Sequence, residues 1–467
     1  MKKRPTLWLL FVICTALATP GRAQTFPVDT LVKTGPLTKR INLVFVPDGY
    51  QASEMALFRT RATQVINSLF GQSPFLEYRP YFNAFAIEVP SVQSGSTHPR
   101  TAPDCGTTAA FAATTYFNST FDYGGIHRLL VPQGNAAVGT VLANNFPRYD
   151  QVFVLVNSPE YGGSGGALAT ASANASAIEI IVHEIGHSMA SLSDEYWAGT
   201  RYARETFNMT QTTNPATVRW TPWMGTNGVG IYPHTTDPTW QKPHQTCKMQ
   251  YLGVPFCAVC REAFVEKFHA LVPPLQAYSP ATLAITAPTQ NLAFALTLLP
   301  PTPNTLRVTW TRDGTVFARN TATATATLAQ LPVGTHVVRA VVVDTTTLTR
   351  RAAHLTQHTY TVDWTITRTT TSVRMASTTA EYEVETYPNP VGDVLNLSYT
   401  LPRPAPVAFT VLDAVGRVVK TIRYGRQAPG HYQYTLRLEE LNLRAAVVYF
   451  LLIDVDGIVL NRQLVKQ

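Results

Sequence analysis

Charge is scarce in this sequence: only 14% of its 467 residues are Asp, Glu, Lys or Arg. That argues against a helical protein laced with surface ion pairs and suits an exported chain rich in strands and loops. A basic run interleaved with aromatics is also missing. The formal net charge is +8, yet the Lys and Arg are scattered, which argues against a nucleic-acid partner. A weakly basic surface still favours acidic substrates. Beyond the N-terminus no apolar run is long enough to cross a bilayer, so no stable membrane span is expected. Cysteines number five, too few for a disulfide-dense small scaffold. Length, by contrast, is ample. The chain exceeds what one core usually holds, and about two to four domains are expected.

The N-terminus has the three parts of an export signal: the positive "MKKRP", the apolar "LWLLFVICTALA" and the small-residue stretch "TPGRAQ". Residues 1–23 are read as a signal peptide cut near Ala23. Cys14 follows Ile13, not the small residue that a lipoprotein site requires. Removal of the signal leaves Cys105, Cys247, Cys257 and Cys260, an even number that implies disulfides in an exported chain. The alternative for "FCAVC" (256–260) is half of a structural zinc knuckle, completed by Cys247 and His244.

Along the chain, "INLVFVPDGY" (41–50), "YFNAFAIEVP" (81–90), "HRLLVP" (127–132) and "YDQVFVLVN" (149–157) read as strands. Residues 53–70, 172–192 and 260–272 carry helical spacing, with Met55, Phe58, Ala62, Val65 and Leu69 on one face of the first. "YGGSGG" (161–166) reads as a mobile loop, and residues 24–40 as a lead-in that is a candidate to cover a cleft. Alternating strands and helices predict an α+β domain with a mixed sheet over 24–280. The pattern then changes. Short β segments with turn signals, including Asp313-Gly314, predict a β-sandwich of immunoglobulin size over 281–366. Residues 367–381 are a Thr/Ser-rich linker, and 382–467 form a last β module.

The chemistry concentrates in "IVHEIGHSMASLSDEYW" (181–197). On a helix His183 and His187 lie one turn apart on one face, so both imidazoles reach one metal ion. Glu184 lies about 100° around the helix from His183. It is placed to take a proton from a metal-activated water without ligating the metal. Gly186 costs helix stability, which implies close approach by another segment. No third histidine follows at close range. A carboxylate binds zinc well, and a chain turning back after Leu192 delivers Asp194, with Glu195 and the distant His244 as alternatives. The other carboxylate is then free to orient a histidine. In "CKMQYLG" (247–253), Met249 and Tyr251 stand two residues apart.

In order, "LVFVPDGY", "YFNAFAIEVPS", "HEIGHSMASLSDEY" and "FCAVCREA" give the first ~275 residues a resemblance to the IgA-peptidase (igalysin) family of metzincin-like zinc metallopeptidases. The resemblance implies a metzincin-like α+β fold with an active-site helix and a Zn2+ cofactor. It implies His183 and His187 as ligands, Glu184 as general base and the acidic pair as source of the third ligand. It also implies Met249 in a turn beneath the metal and Tyr251 reaching the metal or the transition-state oxygen. Two departures stand out: Ser193 occupies the usual third-ligand position, and Ala190 replaces a common glycine. The last ~80 residues, with "YPNP", "FTVLDAVGRVV" and "LLIDVDGIVLNRQLVK", resemble the C-terminal sorting domain of type IX secretion. That implies passage through the periplasm and outer membrane, with the secretion machinery as partner.

The expected function is a secreted zinc endopeptidase acting on extracellular proteins or peptides. Two alternatives remain open at this point. One is an adhesion or glycan-binding protein on a peptidase fold, against which the intact Glu184 argues. The other is a zinc hydrolase of a non-peptide amide bond.

Overall fold

Strand β2 (Ile41–Asp48) is buried along its whole length, and its sequence says why. Ile41, Leu43 and Phe45 point into one core, while Val44 and Val46 point into another on the opposite face. A strand covered on both sides reads as a continuous apolar run. The computed structural model describes residues 24–166, 168–286, 288–369, 374–375, 382–439 and 448–466. The expected signal peptide and most of the expected linker lie outside the described residues.

The first sheet comprises β1 (Val28–Val32), β2, β3 (Phe82–Ile87), β4 (Gln151–Val156), β5 (Gly163–Ser164) and β6 (Ala169–Ser172). Its spatial order is β1-β3-β2-β4-β6-β5. The four central strands run parallel, and β1 and β5 are antiparallel edges. Helices α1 (Met55–Phe70), α3 (Ala177–Ala190) and α4 (Ala258–Leu271) supply one core. Helix α2 (Asn135–Asn145) covers the other face through Val138, Val141 and Leu142.

Three sequence expectations change here. The lead-in is not a cleft cover, because Val28–Val32 is an edge strand on the far side of the sheet from β5. The "YGGSGG" loop contains β5, paired with β6. The strand expected over 127–132 shrinks to Val131–Pro132.

Residues 275–368 form two facing sheets, one of three strands and one of five. Their core holds Phe294, Trp310, Val338 and Trp364, with the two indoles stacked at 5.9 Å. This sandwich shares a buried polar junction with the first sheet's domain. Asp344 accepts hydrogen bonds from Tyr78 Oη (2.6 Å) and His269 Nε2 (3.0 Å). Burial opposes ionisation of Asp344, but the bonds from His269, Thr305 and Tyr78 outweigh it and hold its pKa below the usual range. A depressed carboxylate stabilises fully above its unfolded pKa, about 4, and loses that contribution as pH falls further. Asp344→Ala should therefore lower unfolding free energy by ~3 kcal/mol at neutral pH, read by denaturant titration, with a smaller deficit below pH ~4.

Among its described residues, the second unit, from residue 369 onward, contains strands and no helix. Five-stranded and three-stranded sheets enclose Leu395, Leu397, Tyr399, Phe409, Leu451 and Ile453. No described helix is long and apolar enough to cross a membrane.

Candidate active site

Helix α3 buries Ile181, Val182 and Ile185 and carries His183, Glu184 and His187 along its other side. It ends at Ser191, which takes the left-handed conformation (φ +54°) that closes a helix and reverses the chain. The amides of Ser191 and Leu192 cap the carbonyls of His187 and Gly186. Two anchors then fix the returning segment. Asn208 receives the Ser193 amide at 2.8 Å and donates to its carbonyl at 2.7 Å. The Glu195 amide donates to Met249 O at 2.8 Å. Asp194, held between them, comes back onto the histidines.

The result is a convergence of lone pairs. Asp194 Oδ1 lies 3.1 Å from His183 Nε2 and 3.2 Å from His187 Nε2, and the two nitrogens are 3.2 Å apart. Each imidazole spends its other nitrogen on a backbone carbonyl: His183 Nδ1 on Lys248 O at 2.9 Å, His187 Nδ1 on Leu192 O at 2.7 Å. With Nδ1 protonated, both Nε2 atoms present lone pairs. Asp194 Oδ1 is buried without a hydrogen-bond partner. Three acceptors facing one point need a cation, and the donor set of two imidazoles and a carboxylate fits zinc. A proton is the weaker substitute. Burial opposes charging of His187, but Asp194 and Glu184 outweigh it and push its pKa up to about 9.

Glu184 sits beside this focus, its Oε2 3.9 Å from His187 Nε2. Burial raises its pKa above the usual carboxylate range. Gly165 passes so close that a Cβ there would overlap Glu184 Oε2 and lie 3.4 Å from His187 Cδ2. Gly165→Ala is thus expected to displace the carboxylate, lowering turnover roughly 10²-fold while bound zinc is unchanged. Steady-state kinetics with metal analysis reads both. Gly186 has a matching reason on the other side. A Cβ would come 2.6 Å from the sulfur of Met249, which lies fully buried under the helix.

Glu195 turns away from the histidines. It is fully buried against three thiols, with Cys260 Sγ 3.3 Å and Cys257 Sγ 3.9 Å from Oε1. Burial drives its pKa well up. The expected disulfides are absent among the described residues: Cys105, Cys247, Cys257 and Cys260 are free thiols. Cys247 and Cys260 approach to 3.7 Å between sulfurs, against about 2.05 Å in a disulfide. Glu195 and these three cysteines offer four ligand atoms within 4.8 Å of one another, a second group able to hold a metal. His244 is engaged elsewhere, accepting the Thr246 amide.

Tyr251 is exposed, because the amides of Gln250 and Tyr251 both turn back onto Cys247 O. The ring at the site is that of Tyr196, stacked over His183 at 6.3 Å, its pKa raised by burial and by Asp194. A small pocket beside Asp194 is lined by Tyr196, Trp197, Tyr202 and Met209. His234, buried with both ring nitrogens unpaired, packs edge-on against Trp197 at 5.9 Å. Tyr196 and His234 are residues that sequence reasoning missed. Tyr196 was legible as the aromatic beside the acidic pair; His234, in an irregular segment, left no signal.

A helix with paired histidines, a returning aspartate and a half-buried glutamate agrees with what this part of the sequence matches. Residues 30–238 match the IgA Peptidase M64 family. The M64 match includes His183, Glu184, His187 and Asp194 and ends before Met249 and the three clustered cysteines. It supports a peptidase. Residues 385–467 match the secretion system C-terminal sorting domain, which implies interaction with type IX secretion machinery and indicates export to the cell surface or beyond. No curated protein matches the chain. Solved structures resemble parts of it. FlgD of P. aeruginosa shares 26% identity over 15% of this chain and 58% of its own, with a TM-score of 0.13. The fibronectin(III)-like modules of CbhA from Clostridium thermocellum share 15% over 41% and 94%, at 0.19. Latent PorU from Porphyromonas gingivalis shares 13% over 41% and 20%, at 0.16. At these TM-scores none bears on the assignment, and the chain spans only 58% of FlgD and a fifth of PorU.

Proposed function

We propose that the M64 domain is a secreted zinc endopeptidase. The observation that carries this reading is the buried focus of His183 Nε2, His187 Nε2 and Asp194 Oδ1, with Glu184 beside it and no side chain at Gly165 to block the approach. Zinc bound there supplies Lewis acidity toward a carbonyl oxygen and lowers the pKa of water. Glu184 accepts the proton of the attacking water and returns it to the leaving amine. Its raised pKa suits both halves of that transfer. Tyr196 is the hydroxyl placed to steady the developing oxyanion, in the role that the sequence resemblance gave to Tyr251.

The test is digestion of a mixture of unfolded proteins by the full chain. Cleavage that a chelator stops and zinc restores is expected. A zinc-loaded protein that cuts no peptide in a broad panel would contradict the reading and turn attention to a non-peptide amide bond.

A further inference from the structure

The stretch between β3 and α2 has almost no regular structure, yet it folds back on itself around one buried group of side chains. We propose that His98, Cys105, Asp122 and His127 form a second zinc site, structural rather than catalytic.

One ligand atom from each of the four residues lies within 4.8 Å of every other. Asp122 Oδ1 is 3.1 Å from His98 Nε2 and 3.1 Å from Cys105 Sγ, and that sulfur is 3.7 Å from His98 Nε2. His127 meets His98 edge-on, with ring centroids 5.0 Å apart. Zinc bonds of about 2.0–2.3 Å place neighbouring tetrahedral ligands ~3.3–3.8 Å apart, so the cluster is close to the size that the ion requires.

The surrounding bonds leave the right atoms free. Asp122 Oδ2 takes the Thr101 amide at 2.7 Å, so Oδ1 alone faces the cluster. His98 Nδ1 lies 2.9 Å from Glu160 Oε2, and Glu160 is itself paired with Arg100. The contact is close without hydrogen-bond geometry, and it keeps a negative charge behind the imidazole, which raises the basicity of a metal-ligating histidine. His127 Nδ1 is buried and has no hydrogen-bond partner. His98, Cys105 and Asp122 are all buried, and His98 is stacked on Phe121 at 4.6 Å. Cys105 has no disulfide partner in reach, because the other three described thiols are gathered around Glu195.

A simple ion pair of His98 with Asp122 would employ two of the four residues. It would leave the Cys105 thiol only as a donor to Asp122 Oδ1 and the buried His127 Nδ1 without a hydrogen-bond partner. Two imidazoles, a thiolate and a carboxylate favour zinc over calcium or magnesium, which take oxygen. With all four positions filled by protein, no vertex is open for water or substrate.

The site ties a loop-rich segment to the catalytic rim. Glu160 begins the turn that leads to Gly165, and Phe121 packs on Gly162, where a Cβ would come 2.5 Å from its ring. The second ion therefore sets the position of the backbone that runs against Glu184. Its existence does not depend on the peptidase reading.

The test is zinc content of the full chain for wild type, Cys105→Ser and His127→Ala, with zinc-edge anomalous diffraction on wild-type crystals. Each variant is expected to lose about one equivalent of zinc relative to wild type. Asp194→Ala loses a different equivalent, so the Asp194→Ala/Cys105→Ser double variant loses about two. The wild-type map should show a peak among His98, Cys105, Asp122 and His127. Folded Cys105→Ser and His127→Ala proteins with wild-type zinc content would overturn the proposal. Should neither variant fold, the wild-type map decides it: a peak supports the site, and its absence at that point overturns it.

Discussion

Glu184→Gln should leave the metal in place and lower the cleavage rate roughly 10²–10⁴-fold, the usual worth of a positioned general base. The substitution keeps the shape of the side chain and removes its ability to take a proton. It adds an amide in a space already closed by Gly165, without adding an atom. Glu184 is not among the three atoms at the focus, so zinc content should match wild type. The loss should appear in kcat more than in KM, because the proton moves only as the bond breaks. A Gln variant that cuts at the wild-type rate would remove Glu184 from the chemistry, whatever metal it holds.

Asp194→Ala is expected to act on the metal itself. It removes the one anionic member of the set and leaves two neutral imidazoles, which hold zinc far more weakly. Changing residues that merely support ligands costs 10–100-fold in affinity, so losing a ligand should cost at least about 100-fold. Dialysis against a graded chelator reads this directly. Glu195→Gln is the control: Glu195 faces Cys257 and Cys260, so its substitution should leave zinc at the histidines. The reverse pattern would exchange the roles of the two acids.

The elements that carry strong periodicity were the legible ones. Helices expected over 53–70, 172–192 and 260–272 appear as Met55–Phe70, Ala177–Ala190 and Ala258–Leu271. Helix α2 escaped notice because "NAAVGTVLANN" mixes small and β-branched residues and shows no clear apolar face. The closeness implied by Gly186 was also readable, and the neighbour is Met249. Spacing alone could not tell on which side of a turn a side chain emerges. Tyr251 lies exposed, and Tyr196 is the ring stacked over His183. The segment that holds His98, Cys105 and Asp122 was opaque for a different reason. Its shape is set by side-chain hydrogen bonds across many residues rather than by a repeating backbone pattern.

The most direct measurement is an anomalous difference map of the wild-type crystal at the zinc edge, inspected around α3. The account predicts a peak at bonding distance from His183 Nε2, His187 Nε2 and Asp194 Oδ1, with Glu184 outside the first coordination sphere. A zinc-replete crystal with no peak there, or with another residue in the place of Asp194, would contradict it.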